Sequence, residues 1–66
     1  MKITAILTNW SAHTRLSGLH LTGTICGDAE GRFNDGEVII TSPVKTIETV
    51  GTVKVARTLN STYILA

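Results

Sequence analysis

Three aromatic residues stand close in sequence to an arginine: Trp10 precedes Arg15, Phe33 follows Arg32, and Tyr63 follows Arg57. Aromatic faces stack on nucleobases, and guanidinium forks match the geometry of phosphate oxygens. Thr41, Ser42 and Asn60 lie beside the same turns and add hydroxyl and amide groups of the kind that bind phosphates. This set, Trp10, Arg15, Arg32, Phe33, Thr41, Ser42, Arg57, Asn60 and Tyr63, is the candidate site for a small anionic ligand. The competing explanation is that the aromatics cap a small core while the arginines lay their aliphatic stems over it.

Other reactive residues carry less. His13 and His20 have no partner at metal-ligand spacing and read as two partly exposed histidines. A catalytic Cys26 would need a neighbouring base and a lowered pKa, whereas a lone cysteine at a strand end needs neither. Asp28, Glu30, Asp35 and Glu37 lie in or beside glycine-containing turns, where aspartate and glycine are favoured for backbone reasons alone. No catalytic residue, metal ligand or cofactor is expected, and the chain reads as a binding protein rather than an enzyme.

The elements that must position these residues are strands. Residues 2–8 alternate Ile3, Ala5 and Leu7 with Lys2, Thr4 and Thr8. Residues 9–17, around Trp10, His13 and Arg15, lose the alternation and predict a loop. Residues 18–26 restore it, with Gly23 marking a bulge or bend, and pair antiparallel with the first strand. A polar loop over 27–32 leads to Asn34-Asp35-Gly36, a strong turn signal. Residues 37–41 form the third strand, whose Val38-Ile39-Ile40 run predicts burial on both faces or against a second subunit. Pro43 bends or ends it. Strands follow over 44–50, 52–58 and 62–65, with Val53, Val55 and Arg57 on one face and Arg57 directed inward.

Threonine, valine and isoleucine dominate, and no stretch has helical spacing. The expected fold is all-β, a small barrel or bent sheet of five or six antiparallel strands in one domain. A 66-residue chain buries only ~60% of its unfolded surface and is marginal as a monomer. With one cysteine and no zinc spacing, a homo-oligomer is the expected source of added stability.

A net charge of +1, from six scattered basic and five acidic residues, gives no basic stripe, so nucleic acid is not an expected partner. Neither a signal peptide nor an apolar run long enough for a membrane span is present, and the expected location is the cytoplasm.

One resemblance extends over most of the chain. The pattern Asn9-Trp10-Ser11, then Gly31-Arg32-Phe33-x-Asp35-Gly36-x-x-Ile39-x-Thr41-Ser42, then Thr58-x-Asn60-Ser61-x-Tyr63-x-Leu65 resembles short all-β proteins encoded by phages and prophages. It implies a compact, oligomeric accessory protein acting in the host cytosol. Counter-defence sponges that sequester a host nucleotide signal are one known type among such proteins, and that is the function expected here. The resemblance supplies no ligand map. Two alternatives stand beside it: a module that inhibits a host enzyme through an exposed strand edge or the Trp10 loop, and a nucleic-acid-binding small barrel.

Overall fold

A computed structural model describes residues 2–66. Six strands form one sheet: β1 (Ala5–Arg15), β2 (Gly18–Cys26), β3 (Val38–Ile40), β4 (Val44–Val50), β5 (Val53–Thr58) and β6 (Thr62–Leu65). Their spatial order is β3-β2-β1-β6-β5-β4. The all-β class and the single small sheet match the sequence pattern. The wholly antiparallel barrel does not: β1 and β6 run parallel, with Ala5 opposite Tyr63 and Leu7 opposite Leu65, and the sheet is open.

The open sheet is nonetheless strongly curled. β3 and β4 are its two edges, yet only Thr41, Ser42 and Pro43 separate them in sequence. Six flat strands would set the edges about 24 Å apart, whereas the link from Ile40 to Val44 reaches at most about 14 Å. The sheet therefore bends until its edges approach at that end. The smallest molecular dimension is 20 Å, about twice the depth of a flat sheet. Pro43 suits this corner because an edge position requires no ladder N–H from it.

The concave face holds the core: Ala5, Leu7, Leu21, Ile25, Ile39, Ala56, Tyr63 and Leu65, with Trp10, Phe33 and Val44 packed on it. Leu7, Leu21 and Ile25 are fully enclosed. These are the alternating positions of β1 and β2, so the period-two pattern places its apolar set as expected.

Four local expectations change. The predicted loop over 9–17 is strand nearly throughout, because β1 continues to Arg15 and turns back through Leu16 and Ser17 into β2. Asn9 and Trp10 together oppose Gly23, so the bulge lies in β1 rather than β2, with Asn9 at φ 48°. Val38-Ile39-Ile40 is an exposed edge rather than a doubly buried bar: Val38 is 77% and Ile40 47% exposed, and only Ile39 turns inward. Arg57 does not point inward either. Its side chain is about half exposed on the face opposite the core, 3.7 Å from the Glu48 carboxylate.

Among the described residues there is no helix, and hence none long and apolar enough to cross a membrane.

Candidate anion-binding site

The β5–β6 connection is built around one side chain. The Thr58 hydroxyl accepts hydrogen bonds from the backbone N–H groups of Asn60 (3.3 Å) and Ser61 (3.0 Å) and donates to the Ser61 carbonyl (3.1 Å). The Thr58 N–H donates to the same carbonyl at 2.8 Å. Threonine favours such turns because its hydroxyl satisfies backbone groups that no ladder reaches. The turn is tied to the β3–β4 connector by Leu59 N–H to the Pro43 carbonyl (3.2 Å) and by Asn60 Nδ2 to Ser42 Oγ (2.9 Å). On its other side the chain start is stitched to β6: Thr4 N–H donates to the Thr62 carbonyl at 2.7 Å, and Thr62 N–H donates to Thr4 Oγ1 at 3.1 Å.

These ties frame a cleft of about 490 Å³ at one end of the sheet, within the ~300–1,000 Å³ range of small-molecule sites. Lys2, Lys45 and Arg57 converge on it against a single carboxylate, Glu30. The lining thus carries a formal charge of +2 while the whole chain carries +1, so the remainder is net negative. Three of the six basic residues that look scattered in sequence are gathered here by the fold. The other walls are Thr4, Thr58, Asn60, Ser61 and Thr62, which bring hydroxyl and amide groups, and the apolar Leu59. Ser61 is 8% exposed, and its Oγ is buried with no hydrogen-bond partner among the described residues. An unpartnered buried hydroxyl costs ~1–3 kcal/mol, so this wall retains an unmet polar group.

Of the residues marked in the sequence, Arg57 and Asn60 line this cleft and Ser42 adjoins it through Asn60. The others lie elsewhere. Trp10 is half-buried against the core and takes Lys54 rather than Arg15 over its ring, at 5.6 Å. Arg15 is exposed at the end of β1. Arg32 lies 5.3 Å from the Phe33 ring centroid and pairs with Asp28 at 3.3 Å and Glu30 at 3.7 Å. Thr41 is buried and Tyr63 is a core residue. Tyr63 pairs with Ala56 and Arg57 with Thr62, which sets Tyr63 and Arg57 on opposite faces of the sheet. The sequential aromatic–arginine pairing therefore survives only at Arg32–Phe33.

Lys2, Lys45, Thr4 and Ser61 were missed because nothing local marks them. Each lies within a few residues of a strand end, and which strand ends share one rim depends on the parallel β1–β6 pairing. Among the described residues, no group of three or more histidine, cysteine, aspartate or glutamate side chains is placed to hold a metal ion.

Compared with protein-family models, with curated proteins and with solved structures, the chain matches none.

Proposed function

We propose that the chain captures a small anionic, phosphate-bearing ligand in the cleft between the β5–β6 turn, the chain start and β4. The observation that carries this reading is the convergence of Lys2, Lys45 and Arg57 on a largely polar cleft whose lining includes one carboxylate, with Arg57 also paired to Glu48 beside it. Lysine supplies a point charge and arginine a fork, and both suit phosphate oxygens. We read the role of this lining as capture rather than turnover. No aromatic lines it, so recognition goes through the phosphate and not through base stacking. A nucleotide signal sequestered by a phage-type accessory protein is the biological form this reading takes, with the resemblance in sequence as its support.

Calorimetric titration with mono- and dinucleotides and with inorganic phosphate tests it. Saturable heat with one or more of these is expected, weakening as salt rises. Arg57→Ala removes a charge-assisted contact worth ~1.5–3 kcal/mol, about 10- to 100-fold in affinity. Ser61→Ala is expected to stabilise the free protein by removing an unpaired buried hydroxyl, with binding unchanged or weaker. Absence of heat across the panel at high protein concentration defeats the proposal.

A second reading rests on the β3 edge, where Val38 and Ile40 are exposed on an unpaired strand. We propose that this edge pairs with a second copy of the chain, so that the protein works as a homo-oligomer.

A further inference from the structure

His20 was expected to be partly exposed, but it is 9% exposed and both of its ring nitrogens are engaged. Nδ1 lies 2.8 Å from the Thr41 carbonyl oxygen. A carbonyl only accepts, so Nδ1 carries the proton and Nε2 of the neutral ring offers a lone pair. Ser17 Oγ sits 2.6 Å from Nε2 and therefore donates to it. The carbonyl that orients the ring is itself held. Thr41 N–H donates to the Leu21 carbonyl at 2.8 Å, and Leu21 N–H donates to Thr41 Oγ1 at 3.1 Å. The Thr41 hydroxyl donates in turn to the Ser42 carbonyl at 2.9 Å.

Hydroxyl, imidazole base and a third group fixing the imidazole are the three parts of an activated nucleophile. The hydroxyl end faces solvent: Ser17 is exposed in the β1–β2 turn, between Leu16 and Gly18, the latter at φ 121°. Among the described residues, the N–H groups of Leu16 and Ser17 donate to no backbone carbonyl. Two donors without a backbone acceptor thus lie in the same turn as the hydroxyl, and backbone N–H is the kind of group that stabilises an oxyanion.

We propose that Ser17 is a nucleophile activated by His20, with the Thr41 carbonyl as positioning group, and that it accepts acyl groups from carboxylic esters. Ser17 Oγ forms a bond to the ester carbonyl carbon as its proton passes to His20 Nε2. The bond from that carbon to the leaving oxygen then breaks, its electron pair staying with the oxygen, which takes the proton from Nε2. The products are an acylated Ser17 and a free alcohol; water entering by the same route releases the acid. This inference is independent of the cleft, whose lining does not include Ser17 or His20.

A hydrogen bond that merely locks the turn would leave Ser17 no more reactive than Ser11, Ser42 or Ser61. A fluorophosphonate probe separates the two roles: Oγ bonds to phosphorus, fluoride leaves with its electron pair, and the proton passes through Nε2 to solvent. Mass spectrometry of the intact chain and its peptides is expected to find one adduct, on Ser17, and none in Ser17→Ala. His20→Asn keeps a side-chain amide able to donate to the Thr41 carbonyl but has no Nε2. It is expected to label ~100-fold more slowly or worse while its amide spectrum stays native. No adduct on the folded protein, adducts spread over the four serines, or an undiminished rate in folded His20→Asn overturns the proposal. If His20→Asn does not fold, the adduct map of the unmodified chain and of Ser17→Ala decides the question.

Discussion

Asp28 shows how one carboxylate organises a long irregular segment. The chain from Gly27 to Glu37 contains no strand, so its N–H groups need other acceptors. The Asp28 carboxylate serves three of these N–H groups: Oδ2 accepts from the N–H of Arg32 (2.9 Å) and Phe33 (3.1 Å), and Oδ1 from that of Glu30 (3.2 Å). The Arg32 guanidinium adds a charged contact to a side chain only 1% exposed. Enclosure alone works to raise the carboxyl pKa. The Glu30 N–H, the Arg32 guanidinium and the N–H groups of Arg32 and Phe33 together outweigh it, and the pKa falls below the ordinary carboxylate value. A group with a lowered folded pKa contributes stability above its unfolded value, near 3.9, and loses it as pH falls through the folded one. Thermal melts from pH 6 to pH 2 are therefore expected to show stability declining below about pH 4. Asp28→Asn is expected to lower the plateau and flatten that decline. A decline equally steep in Asp28→Asn would assign the acid sensitivity to other groups. The sequence marks Asp28 as a turn residue, but the convergence of three N–H groups on it depends on a path that spacing alone does not define.

At the scale of elements, the β1–β2 pair depends on a glycine. A Cβ added to Gly23 would stand 2.7 Å from Leu7 Cγ and 2.9 Å from the Thr8 carbonyl oxygen. The first contact could be relieved by moving a side chain, but the second is with backbone at the bulge and cannot. Overpacking of this kind costs ~1–3 kcal/mol, a large share of the roughly 3–10 kcal/mol available to a domain of this size. Gly23→Ala is expected to lower the urea midpoint by an amount equal to ~2 kcal/mol at unchanged slope. A midpoint within error of the parent would show that β1 shifts freely at the bulge. The same region shows which parts of the fold were legible. Alternation over 18–26 marks β2, and the strands over 44–50 and 62–65 coincide with β4 and β6. Residues 9–15 carry no such signal because they extend past the core: Ser11, Ala12, His13, Thr14 and Arg15 are all exposed. A strand with no face to bury leaves no apolar rhythm, and its pairing with β2 only emerges once the turn at Leu16-Ser17 closes.

At the scale of the molecule, topology decides what the termini of strands do. The parallel β1–β6 pairing brings the chain start beside Thr62, and this places Lys2 on the same rim as Lys45 and Arg57. No local pattern announces a parallel pair between the first and last strands, so the cleft was illegible even though the strands themselves were not. The same topology leaves β3 and β4 as free edges. β4 carries Lys45 and Glu48 along its length, charges that discourage further pairing. β3 carries none, and it presents Val38 and Ile40 beside unpaired backbone groups. An apolar edge of this kind templates the addition of another strand, and a chain this small gains stability from doing so. Sedimentation velocity at high micromolar concentration is expected to find dimers or larger species. Val38→Lys is expected to return a monomer with its fold intact, since Val38 contributes nothing to the enclosed core. A parent chain that sediments as a monomer throughout would remove the edge as an assembly surface. The cleft's lining includes no residue of β3, so its charge would be kept in either state.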